Sequence, residues 1–239
     1  MKRFWDRADI ALVQGAASPG WQVMLDGRPV RVPGGAPLCL PTEMLAAAVA
    51  GEWQAAGGGN GGKMSYADLP LTRIAGTGQE RILGNPEPVI LELAQYGQSD
   101  LLCYRAAEPP ALAARQAELW QPWLDWAAAR FGARLAVTTG IMHVPQEQQA
   151  LAALAEAVAG LDPFALAGLG VVVPALGSLV LGLAVAAGEI DASAAVRLSE
   201  LDELFQEAFW GADDLAVQRR GQIARDVADA ARLLELLRA

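Results

Sequence analysis

The chain of 239 residues holds one histidine, two cysteines and few aromatics, and each shortage removes a class of chemistry. A single imidazole, His143 in the loop Gly140-Ile-Met-His-Val-Pro145, cannot build a multi-histidine metal centre. No nucleophile elbow of the form G-x-S-x-G is present, so a serine–histidine hydrolase lacks its first member. Cys39 and Cys103 form no C-x-x-C pair, which fits buried thiols in a reducing compartment better than a disulfide or zinc framework. Basic side chains are scarce, 18 against 27 acidic, for a net charge of −9. Nucleic acid is not expected as a partner, because phosphate binding needs a basic footprint. The opening Met1-Lys-Arg-Phe-Trp-Asp6 has no apolar run before a cleavage site, so neither a secretory nor a transit segment is expected.

The acidity is unevenly placed. Residues 1–80 balance seven basic against seven acidic side chains, whereas residues 81–239 hold eleven against twenty. Within 189–214, eight acidic residues face Arg197 alone, a local net of −7. A basic protein surface suits such a segment; a solvated face that serves solubility is the simpler alternative.

Charge is missing altogether from Pro163 to Gly188. That run has the length of a bilayer span, ~20 residues, but its flanks Asp162, Glu189 and Asp191 are acidic and no aromatic belt borders it. A buried helical hairpin, apolar on every side and broken near Pro174, is the better reading, and stable membrane insertion is not expected.

The first part of the chain reads as β-rich. Ile10–Gln14 is a short apolar run closed by turn material over Gly15–Gly20. Trp21–Leu25 and Arg28–Val32 flank Asp26-Gly27, a two-residue hairpin signal. Thr42 caps a helix over Glu43–Ala56. The tract Gly57-Gly-Gly-Asn-Gly-Gly-Lys63 mimics phosphate-loop spacing, but Met64 stands where a hydroxyl must reach magnesium and the tract follows a helix, so a flexible surface loop is expected. Beyond residue 70 the pattern turns helical, with starts at Asn85-Pro86, Pro109, Asp162-Pro163, Asp191 and Asp213. The fold class is α+β: a small β-rich N-terminal domain, 1–78, followed by a larger all-helical domain, 79–239.

One helix, expected from Asp191 to Trp210, carries the sharpest pattern. Leu198, Leu201, Phe205 and Ala208 recur at three and four residues and form its core face. Glu200, Glu203 and Glu207 form a carboxylate stripe on another face. The stripe could dock a basic surface, stay solvated, or hold a divalent cation in a metal-dependent enzyme, although one helix sets carboxylates too regularly to wrap calcium.

Several segments together resemble one family. They are Tyr96-Gly97-Gln-Ser-Asp100-Leu-Leu-Cys-Tyr-Arg105, Glu118-Leu-Trp120-Gln-Pro122-Trp-Leu-Asp125-Trp126, Gly177-Ser178 and Leu201-Asp-Glu203-Leu-Phe-Gln206-Glu-Ala-Phe-Trp210-Gly211. Leu25-Asp-Gly-Arg-Pro29, Pro41-Thr42, Glu52-Trp53 and Leu69-Pro-Leu-Thr72 fit the same pattern. They resemble the assembly chaperones of the F-type ATP synthase that bind the α subunit before the catalytic head is built. The resemblance implies a non-catalytic monomer without cofactor or metal, whose partner is the ATP synthase α subunit. The family occurs in mitochondria and related bacteria, and the lack of a targeting segment makes the bacterial version and a cytoplasmic location the expectation. Glu203, Gln206, Glu207 and Trp210 become the expected partner contacts, with Trp53 as a fifth. The glycine tract 57–62 and the apolar Gly168–Pro174 depart from the family's usual pattern.

Overall fold

A four-stranded antiparallel sheet is built around the hairpin that Asp26-Gly27 turns. In the computed structural model, which describes residues 1–13 and 20–238, β1 (Ala8–Val13) pairs with β2 (Gly20–Leu25), Ala8 lying opposite Leu25. The turn expected over 15–20 lies almost wholly outside the described residues. Asp26 and Gly27 both adopt positive φ, 46° and 79°, and return the chain into β3 (Arg28–Pro29). The Asp26 carboxylate accepts the backbone N–H groups of Arg7 and Asp6, which holds its pKa below the usual carboxylate range. The third strand is shorter than expected, but Val30 and Val32 still point inward while Arg31 faces water. β4 (Cys39–Leu40) pairs with β2 on the same edge as β3, further along at Trp21 and Gln22.

Helix α1 (Glu43–Ala55) lies on this sheet through Leu45, Ala46 and Val49. Thr42 caps it by accepting the Leu45 N–H at 3.2 Å. Its other end is closed by Arg3, a buried guanidinium that donates to the Gln54 and Ala56 carbonyls and to those of Trp5 and Asp6. The glycine tract that follows is tied down rather than loose. The Gly61 N–H donates to the Arg3 carbonyl and the Gly62 carbonyl accepts the Arg3 N–H, so the tract runs beside the first residues of the chain. No phosphate loop is formed.

Packing divides the chain into two compact units: Met1–Pro86 with Pro163–Gly168 and the chain from Arg232, and Glu87–Asp162 with Leu169–Ala231. The first unit therefore takes Phe164 and Leu233 into its core, and the Thr42 hydroxyl donates to the Leu236 carbonyl at 2.7 Å. It also contains α2 (Pro70–Thr77), which ends in a π-helical turn.

The second unit is helical, apart from a parallel bridge between β5 (Tyr104–Arg105) and β6 (Thr138–Thr139). Its helices include α3 (Glu87–Gln95), α4 (Pro110–Phe131), α5 (Gln148–Ala159), α7 (Leu179–Ala187), α8 (Ala192–Ser199) and α9 (Leu201–Trp210). The larger part of α6 (Pro163–Leu176) and of α10 (Asp214–Arg238) belongs to it as well. The uncharged run is a helical hairpin, but it breaks at Gly177-Ser178 and not at Pro174. Pro174 and Gly170 are both exposed, so water can serve the Gly170 carbonyl that has lost its N–H partner, and α6 continues unbroken. That wet stripe also means α6 is not surrounded on every side; α7 is, with Leu179–Val185 all buried. Among the described residues no helix is long and apolar enough to cross a membrane.

Several quoted motifs meet in space as clasps of the fold. The Glu52 carboxylate accepts the N–H groups of Leu71 and Thr72, closing the N-terminus of α2 from outside. In the second unit Asp100, fully buried, accepts the Ser178 hydroxyl and the Val180 N–H at the start of α7. Trp120, also fully buried, donates its indole N–H to the Leu198 carbonyl at 2.9 Å.

Candidate functional site

The sequence predicts one helix from Asp191 to Trp210, but two form, α8 and α9, with the break at Glu200. Asp191 caps the first of them as expected, accepting the Ala194 N–H at 2.8 Å. Glu200 is a buried carboxylate at a non-helical backbone position, and its partner is Arg219 of α10 at 3.1 Å. Burial and the neighbouring Glu203 push the Glu200 carboxyl up, against the pull of Arg219. Leu198, Leu201, Phe205 and Ala208 still share one side and line one hollow, but that side of α9 is left largely uncovered. Leu201 is its one buried residue, Phe205 is half-buried, and Ala208, assigned to the core by its spacing, is exposed.

The carboxylate stripe is therefore not a free acidic surface. Arg219 bridges Glu200 and Glu203, and Arg220 pairs with Glu207. Two guanidiniums thus pair with Glu200, Glu203 and Glu207, the carboxylates that a metal-dependent enzyme would need free. No group of three or more metal-ligating side chains is found among the described residues. Asp202, between them, accepts from Gln116 of α4 at 2.6 Å. Gln116 in turn accepts the Ala106 N–H, and Arg105, stacked over Trp120 at 5.2 Å, donates to the Gln116 carbonyl. This buried polar chain fixes the first turn of α9 to α4.

Beyond its first turn α9 leaves apolar surface uncovered on both sides. One side opens on a groove of about 940 Å³ formed by the start of α4, α9 and the start of α10. Its walls carry Leu112, Phe205, Phe209 and Trp210, with Glu203, Glu207, Arg219 and Arg220 set among them. Phe209 and Trp210 are 72% and 86% exposed, and Leu215, just past the turn, is 74% exposed. Large apolar side chains left this exposed are what a partner-binding surface would use, which makes the groove the candidate site. The other side opens on a smaller hollow of about 580 Å³, which Phe205 and Phe209 also line. Phe205 and Phe209 pack on each other, ring centroids 5.1 Å apart, so the two aromatics stand together between the hollows.

Four of the five residues singled out from the sequence, Glu203, Gln206, Glu207 and Trp210, line this one groove. Trp53 belongs to the first unit, where its indole N–H donates to the Thr72 hydroxyl and its ring meets Trp5 at 5.0 Å. Sequence reasoning missed Phe209, Arg219, Arg220 and the Glu108–Leu112 wall. The basic pair Arg219-Arg220 was the available signal, but nothing local links it to carboxylates 16 and 13 residues earlier.

Comparison with known proteins places this geometry in a family. The sequence pattern of the ATP12 chaperone protein family matches residues 2–128. The crystal structure of Atp12 from Paracoccus denitrificans is 43% identical in sequence and superposes with a TM-score of 0.91, over 98% of this chain and 97% of that one. A D202K mutant of the same Paracoccus protein matches at 42% identity over the same shares, again with a TM-score of 0.91. Atu1473 of Agrobacterium tumefaciens is 35% identical, with a TM-score of 0.89 over 99% of this chain and 86% of that chain. The chain belongs to the ATP12 chaperone family.

Proposed function

We propose that this protein is a non-catalytic chaperone of F-type ATP synthase assembly that holds the free α subunit through the groove beside α9. The exposed Phe209 and Trp210 on the groove wall carry the reading, because a chaperone must cover apolar client surface that a finished assembly would bury. The charged side chains set among the apolar walls suit a contact that is steered and later released. Trp53 is left out of the surface, since its polar atom and its ring face are already used within the first unit.

The test is co-expression with the α and β subunits of the ATP synthase, followed by a pull-down. Recovery of α without β is expected, and Trp210→Ser should reduce it at least fivefold without changing the chaperone's own thermal midpoint. Equal recovery of both subunits, or of neither, would overturn the proposal. Full recovery by the Trp210 variant would move the contact away from the groove.

A further inference from the structure

The groove's walls restrict what can lie in it. They come from the first turns of α4, from α9 and from the start of α10, joined by the short turn at Gly211, and no strand edge is among them. An extended segment would find no row of backbone donors and acceptors to pair with, so its own amides would be left dry as apolar side chains closed around them. A helix arrives with those groups already satisfied. It presents side chains at i, i+3, i+4 and i+7 to a groove floored by apolar residues.

The charges fix its polarity. Four carboxylates line the groove, Glu108, Glu203, Glu207 and Asp213, against two guanidiniums, Arg219 and Arg220. Arg219 is also drawn to the buried Glu200, which pushes its already high pKa up further. Glu108, at the rim, is exposed and makes no ion pair among the described residues. Asp213, at the start of α10, makes none either, so the unpaired acid of the groove is carried by Glu108 and Asp213. The half-exposed Glu203 can also exchange its arginine for an external cation at small net cost, since solvent-accessible pairs are worth ~0–1 kcal/mol.

Resting on the α-subunit reading above, we infer that the groove takes an amphipathic helix of its client: an apolar stripe seated on Phe205, Phe209 and Trp210, flanked by Lys or Arg that meet Glu108 and the Glu203–Glu207 row.

The experiment uses labelled synthetic peptides of about 20 residues, long enough to hold helicity, and the full chain. One peptide carries a Leu/Phe stripe flanked by lysines. A second replaces the lysines with glutamates, and a third keeps the lysines but has a central proline. Fluorescence anisotropy at low salt should show the basic helical peptide binding at least tenfold tighter than either of the others. Raising salt should shrink the gap to the acidic peptide. Glu108→Lys should weaken the basic peptide at least fivefold, and Glu92→Lys, an equal charge change on exposed α3 surface, should leave it unchanged. Equal weakening by both variants would mean general attraction to an acidic protein and would overturn the inference. Equal binding of basic and acidic peptides, or tighter binding of the proline-broken one, would overturn it as well. If α-subunit capture depends on Trp210 while the peptides show no charge preference, the inference falls and the α-subunit reading stands. If the basic helix binds as described and α is not captured, the α-subunit reading falls.

Discussion

Removing the Asp100 carboxylate tests whether the second unit is clasped where two distant motif segments meet. The Asp100 Oδ1 accepts the Leu102 N–H at 3.1 Å and the Ser178 hydroxyl at 2.8 Å, and Oδ2 accepts the Val180 N–H at 3.0 Å. All of this lies in a dry interior, where Asp100, Leu102, Ser178 and Val180 have essentially no exposure. Asp100→Ala leaves two backbone N–H groups without acceptors, at ~1–3 kcal/mol each. The Ser178 hydroxyl still accepts from the Leu181 N–H but loses its own acceptor. Relief from burying a carboxylate offsets part of the loss, so a net destabilisation of about 2–4 kcal/mol is expected. Asp100→Asn keeps one acceptor oxygen and turns an NH₂ toward a donor, and should fall between the parent and the alanine variant.

The pH dependence supplies a second readout. Burial pushes the Asp100 carboxyl up, only partly countered by its hydrogen bonds. A raised folded-state pKa favours the protonated native state, so this group adds stability below its unfolded value, about 3.9. That stability is lost as pH rises through the raised folded value. The parent should therefore gain on Asp100→Asn as pH falls through this window, measured by urea unfolding with tryptophan fluorescence at several pH values. An alanine variant with an unchanged midpoint, or a parent-to-Asn difference that does not vary with pH, would refute the reasoning.

Two further outcomes follow from packing and charge. A Cβ added at Gly182 would stand 2.4 Å from the Val173 Cγ2, so Gly182→Ala should cost about 1–3 kcal/mol through overpacking of α6 against α7, read as a lower denaturation midpoint. Replacing both Glu203 and Glu207 by lysine sets like charges against Arg219 and Arg220; discounted for solvent exposure, a loss of about 1–2 kcal/mol is expected, together with weaker α-subunit capture. An unchanged thermal midpoint in that double variant would show that these pairs do not hold α9 to α10.

What the sequence made legible was local. Asp26-Gly27 specifies its turn through two positive φ values, and Thr42, Asp191 and Asp213 specify helix starts through side chains that reach N–H groups two or three residues on. Such signals need no partner elsewhere in the chain. Glu200 shows the opposite case. Its neighbours Leu198, Leu201 and Phe205 keep helical spacing across it, and the break accompanies a buried carboxylate whose arginine lies 19 residues further on. The glycine tract reads as loose for the same reason, because what orders it is backbone pairing with residues 1–3. Four of the groove residues could be named in advance because an exposed aromatic and a carboxylate row are visible along one helix. The walls given by α4 and α10 could not, since only the tertiary fold brings them alongside.

The first unit draws Phe164 and Leu233 into its core and joins Thr42 to Leu236, 194 residues later. Translation proceeds at ~5–20 residues per second, so the two ends of that contact leave the ribosome ~10–40 s apart. During this interval the sheet and α1 exist without the side chains that complete their apolar face. The part of this unit made first is consequently the last able to close. A ribosome stalled before Arg232 would present an N-terminal segment open to proteases, however much of the helical part had already formed.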